Sequence, residues 1–204
     1  MDCCFCMYVV EGNEKVLKKH AVGPLLSLAK SQEWKVLFDA LDANSSLLKL
    51  PLNDHNGQTL LHVLAQQRPP PDAVLRAIYK CPEAVKVLDK DKCLPLHYAA
   101  AMGNNSYLLQ ELLKRWPKGA SCSNLEGDMP LHIASWGGIA TEENVTLLLK
   151  SFPSASEVRN QFGELPLHLA CSNQNASEQT VRTLFQLMKK SRNVLLLDLG
   201  GKLQ

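Results

Sequence analysis

Scarcity narrows the chemistry of this chain before any motif is read. Aromatic residues make up only 6% of its 204 positions. No apolar run approaches the roughly 18–20 residues that a membrane-spanning helix needs, so no transmembrane segment is expected. Neither sign of charge dominates: 22 basic residues stand against 20 acidic ones, a formal net charge of +2. These charges are dispersed in sequence, whereas a nucleic-acid binder gathers Lys and Arg into a patch, so nucleic acid is not an expected partner. Metal-site spacing is also missing. Of seven cysteines, Cys3 and Cys6 alone are separated by two residues, and no second pair completes a zinc site. The odd number argues against a disulfide framework. No Gly-rich phosphate loop follows a strand pattern, and no nucleophile, base and orienter come together, so neither a cofactor nor catalysis is expected. The opening residues lack a basic stretch ahead of their apolar ones and carry Asp2, which does not read as a secretion signal. A reducing compartment, the cytoplasm with the nucleus as a second choice, is the expectation.

What the chain does contain is a repeat. Thr59-Leu60-Leu61-His62, Leu94-Pro95-Leu96-His97, Met129-Pro130-Leu131-His132 and Leu165-Pro166-Leu167-His168 place their histidines 35, 35 and 36 residues apart. A fixed period in this range means units that cannot bury an apolar face alone and stack so that each covers the next. Each unit opens with a polar turn: Asp54–Gly57, Asp89–Lys92, Asn124–Gly127 and Asn160–Gly163. Asp or Asn at its first position can bond the backbone two residues on, and Gly57, Gly127 and Gly163 supply a positive φ at its fourth. Lys92 breaks that pattern, so its turn is expected to be strained or differently shaped. Pro95, Pro130 and Pro166 suit a first helical turn, where the missing N–H costs nothing. Ala99, Ala134 and Ala170 are small enough to let a neighbouring unit approach.

A second helix per unit follows, with apolar residues at spacings of three and four and with Asp72, Ser106, Thr141 or Ser177 as its expected N-cap. It ends at Cys81-Pro82, Trp116-Pro117 and Phe152-Pro153. An atypical first unit is expected over about 24–52, with Trp34, Leu37, Phe38 and Leu41 on its second helix. His62, His97, His132 and His168 invite a metal reading. Equivalent positions one repeat apart form a ladder rather than converge on one ion, so a structural role is expected instead.

These turns, helices and motifs resemble the ankyrin repeat, whose signature is Thr-Pro-Leu-His-x-Ala. The resemblance implies an all-α solenoid of stacked helical hairpins with short turn or β-finger connections. The expected organisation is an extension or cap at 1–22 and an array at 23–204 of about five repeats, the last followed at Asp198–Gln204 by the start of a sixth. Thr59 alone keeps the signature threonine. In similar proteins that hydroxyl helps orient the histidine, so the histidine bonding here is expected to be partly different.

The resemblance also implies a protein-binding role for a monomer, with the partner held on the concave face by turn tips and first helices. Carried over by position, this selects Gln66 and Gln67, Met102, Leu125, Glu126 and Asp128, Trp136, Phe162 and Glu164. Met102, Leu125, Trp136 and Phe162 are the apolar anchors expected of an interface. Acidic Glu126, Asp128 and Glu164 around them suit an extended peptide or a helix that is partly basic. Two further expectations stand beside the scaffold. The chain is a regulatory segment of a larger enzyme or channel, or Cys3, Cys4 and Cys6 take an acyl group and tether it to a membrane.

Overall fold

The computed structural model describes residues 27–43, 56–67, 69–103, 106–136, 141–173 and 178–190. The expectations for residues 1–22, for Cys3, Cys4 and Cys6, for a Ser177 cap and for a sixth turn at Asp198–Gln204 fall outside them. After a helical stretch at 27–30 come α1 (Trp34–Ala43), α2 (Leu60–Gln66), α3 (Pro71–Lys80), α4 (Pro95–Ala101), α5 (Ser106–Arg115), α6 (Pro130–Trp136), α7 (Glu142–Ser151), α8 (Pro166–Ser172) and α9 (Glu178–Lys190). The short helices α2, α4, α6 and α8 pack in succession to form an inner layer, and α1, α3, α5, α7 and α9 form an outer one. This is the all-α solenoid of hairpins that the repeat implies.

Packing follows the helical period. Leu108, Leu109, Leu112 and Leu113 of α5 lie on one buried stripe, as do Val145, Leu148 and Leu149 of α7. Leu61, Leu96, Leu131 and Leu167 of the inner layer are at most 4% exposed, and each such side chain contributes about 2 kcal/mol of burial. Ala99, Ala134 and Ala170 are buried where consecutive inner helices meet, which a larger side chain would hold apart. After α3, α5 and α7 the residue before proline leaves the helix without becoming fully extended: Cys81, Trp116 and Phe152 have φ of −138°, −146° and −146° with ψ of only 73°, 83° and 87°. The prolines then open 3-10 turns at Pro82–Lys86, Pro117–Ser121 and Pro153–Glu157, and all three preceding side chains pack against the core.

The expected caps are met in part. Thr141 Oγ1 accepts the Asn144 N–H at 3.3 Å, but Asp72 sits inside the first turn of α3, because Pro71 occupies its first position and Pro70 its cap.

Candidate binding groove and the seam beneath it

The turns that edge the inner layer are built three times to one plan. Oδ1 of Asp89 accepts the N–H groups of Asp91 and Cys93 at 3.0 and 2.8 Å. Oδ1 of Asn124 does the same for Glu126 and Asp128, and Oδ1 of Asn160 for Phe162 and Glu164. The fourth residue is left-handed each time: Lys92 at φ +57°, Gly127 at +77° and Gly163 at +76°. Lys92 therefore makes the same turn as the glycines, and what distinguishes it is a side chain held where L-residues are disfavoured. One main-chain bond links each tip to the next: Lys90 N–H to Asn56 O, Leu125 N–H to Asp91 O, and Gln161 N–H to Glu126 O. The fingers are thus tight turns joined in a row.

The histidines sit at the third position of the inner helices and turn their Nδ1 back to the helix start. Nδ1 accepts the backbone N–H of Thr59 at 3.0 Å, Leu94 at 2.9 Å, Met129 at 3.2 Å and Leu165 at 3.1 Å. The bond expected to change with loss of threonine is therefore retained by the backbone, and what disappears is the additional 2.8 Å contact from the Thr59 hydroxyl. With Nδ1 an acceptor, the proton sits on Nε2, which faces the following unit. It donates to Cys93 O from His62 and to Val158 O from His132, each at 3.1 Å. His97 Nε2 faces the backbone of Asp128 and Cys122 and is enclosed without a hydrogen bond of standard geometry.

Burial lowers the pKa of all four histidines, that of His97 to about 4, so each is a neutral strut at pH 7. Among the described residues no cluster of His, Cys, Asp or Glu is arranged to hold a metal ion. Three cysteines are held in the thiol form: burial raises the pKa of Cys122 and Cys171, and burial with the nearby Asp89 charge brings Cys93 to about 11.

Above this seam the groove residues separate into rows. The last residues of the inner helices are Gln66, Ala101, Trp136 and Ser172. The turn tips contribute Asn56, Asp91, Glu126 and Phe162, with Lys90, Leu125 and Gln161 beside them. Trp136 is 62% exposed, Phe162 70% and Leu125 46%, so neither ring folds back onto the array. A seven-residue helix is about 10 Å long, which puts Trp136 at the far end of α6 from the turn that bears Leu125. The anchors therefore occupy two rows rather than one cluster.

Other expected groove residues fare differently. Met102 is half-buried, and its carbonyl accepts the Asn144 amide at 3.2 Å. Asn173 Nδ2 likewise donates to Trp136 O, and these two bonds anchor the inner-helix ends. Gln66 and Gln67 are half-buried. Glu126 is exposed, and the half-buried Glu164 accepts from Asn160 at 3.3 Å. Asp128 corrects the expected acidic rim: it is 8% exposed and accepts from Asn160 Nδ2 at 2.9 Å, so its carboxylate ties one turn to the next.

A polar chain that sequence reasoning missed crosses the groove. Gln66 donates to Gln58 at 3.3 Å, Gln58 to the Tyr98 hydroxyl at 2.7 Å, and Tyr98 to Asp89 Oδ2 at 2.7 Å. The Tyr98 ring also meets His62 edge-on at 5.7 Å. Burial, then the Asp89 carboxylate, pushes the Tyr98 phenol up. Its signal was available: Tyr98 follows the histidine where the other units have Val63, Ile133 and Leu169.

Comparison with known proteins agrees with this architecture. Residues 61–155 match the family of ankyrin repeats in three copies. A stretch of 64 residues is 45% identical to the transient receptor potential cation channel subfamily A member 1 homolog of Caenorhabditis elegans, covering 31% of this chain and 5% of that protein.

Proposed function

Residues 61–155 are ankyrin repeats, a family that generally mediates protein–protein interaction, and from that premise we propose that the chain is a non-catalytic scaffold holding a protein partner in its groove. The observation that carries this reading is the exposure of Trp136 and Phe162 in successive units. Large side chains that a partner can desolvate, Trp above all, are among the residues whose truncation costs an interface most. The partner is an extended peptide or a helix, partly basic, with apolar side chains that reach the Trp136 end of the groove and the Leu125 and Phe162 tips. Glu126 and Glu164 supply the acidic rim. The scaffold acts as a monomer in the cytoplasm.

Affinity capture from a native cell extract, with the intact chain and with the double variant Trp136→Ala and Phe162→Ala, tests this. A partner held by the intact chain and weakened at least about tenfold by the double variant, with helical circular dichroism unchanged, is the expected result. Undiminished capture by the double variant refutes the groove assignment. The likeness to the channel homolog favours a second reading, in which these repeats are the regulatory segment of a larger channel. That reading gains if the transcript continues in frame into membrane-spanning sequence.

A further inference from the structure

We propose that the C-terminal ends of the outer helices form an edge that binds an anionic phospholipid surface. Lys80 closes α3, Lys114 and Arg115 close α5, and Lys150 is next to last in α7. Lys118 follows in the 3-10 turn after α5. All five are exposed.

A cation in the last turn answers the partial negative charge of a helix C-terminus, which accounts for one such residue per helix taken alone. Stacking adds the rest. α5 packs against both α3 and α7 in the outer layer, so residues dispersed in sequence become a row with about 10 Å from helix to helix. Glu111 bonds Lys114 at 2.6 Å and Glu83 bonds Lys86 at 2.9 Å, leaving Arg115, Lys118 and Lys150 to face solvent. The first turns of the same layer carry Asp72, Glu142, Glu143 and Glu178. With Glu83 and Glu157 exposed in the adjoining 3-10 turns, the C-terminal edge is net basic, while the opposite edge carries these four acids together with Lys35 and Arg76.

Tyr79 adds the second component. It is 73% exposed and stands one residue before Lys80 in the last turn of α3, an aromatic ring with a polar tip of the kind that settles at headgroup level. The hollow of about 440 Å³ lined by Trp34, Lys35, Pro70, Asp72 and Arg76 belongs to the opposite ends of α1 and α3. A row of cations with one exposed ring suits a laterally extended, fluid surface better than a folded protein, which needs shape complementarity.

The test is co-sedimentation of the full chain with vesicles of phosphatidylcholine alone or with about one third phosphatidylserine. The expected result is binding to the anionic vesicles alone, abolished by molar salt. Each Lys or Arg near such a surface is worth about fivefold in partitioning. Arg115→Gln, Lys118→Gln and Lys150→Gln together therefore lower it about a hundredfold with circular dichroism unchanged, and the corresponding Glu variants lower it further. The Trp136→Ala and Phe162→Ala variant sediments like the parent. Equal binding to neutral vesicles, or no effect of the triple Gln variant, overturns the proposal. So does tighter binding of soluble polyglutamate through the same residues, which would make the edge a site for acidic polypeptides.

Discussion

The seam between units and the groove above it are built from the same turns and inner helices yet follow opposite rules. In the seam the same atoms meet again and again: a histidine Nδ1 with the backbone N–H three residues earlier, and an Asp or Asn oxygen with two backbone N–H groups. In the groove no position of the helix-end row is used twice, since Gln66, Ala101, Trp136 and Ser172 share a place and nothing else. Repetition marks what every unit needs in order to stack. Its breakdown marks the positions left free of that need, which the proposed scaffold would offer to a partner.

Acid should strike the seam hardest. Each of the four seam histidines has a folded-state pKa below the usual 6.5, so the unfolded chain takes up protons first. Their contribution is fully present above about pH 6.5 and is lost as pH falls below it. For His97, whose folded value is about 4, the loss approaches about 3 kcal/mol by pH 4. Urea-unfolding midpoints measured from pH 8 to pH 4 should therefore fall most steeply between 6.5 and 4. A flat profile would mean that the histidines do not act as buried neutral struts. The groove has no part in this, and the Trp136→Ala and Phe162→Ala variant should give a parallel curve.

Next in size come the turns, where the comparison can be sharpened within the seam itself. An added Cβ at Gly127 meets the Gln161 backbone N at 2.8 Å, whereas at Gly163 nothing lies within 4 Å among the described residues. Both are left-handed. Gly127→Ala should cost about 2 kcal/mol or more through strain plus displacement of the next turn, and Gly163→Ala about 1 kcal/mol through strain alone. Thermal unfolding of the two variants checks the order. Equal losses would show that the turns are not held against one another.

The smallest effect runs in the other direction. Lys92 takes the left-handed place that glycine fills in the other turns, so Lys92→Gly should raise stability by up to about 1 kcal/mol, the strain relieved less the greater freedom of glycine in the unfolded chain. An unchanged or lower melting temperature would mean that the Lys92 side chain contributes an interaction that offsets its strain.

The seam was largely legible because it is local. A turn of four residues, a proline at a helix start and a histidine three residues past the cap each act within one helical turn, and their recurrence made them visible. Legibility failed where two units meet. Asp128 looks in sequence like any acidic residue at a turn, and only the stack brings Asn160 to it. Tyr98 and Gln58 are separated by 40 residues and bonded at 2.7 Å. The basic row is a third case, scattered along the chain and aligned only when α3, α5 and α7 pack together.

The amino-acid sequence by itself determined the unit: its period, its two helices, its turn and the neutral histidine that closes it, because all of these follow from backbone bonding within a few residues. Only the tertiary structure decided which acids remain free, how far Trp136 stands from the turn tips, and that dispersed charge becomes an edge. Those properties depend on the contacts between units that share no stretch of chain, and neither local propensity nor periodicity carries that information.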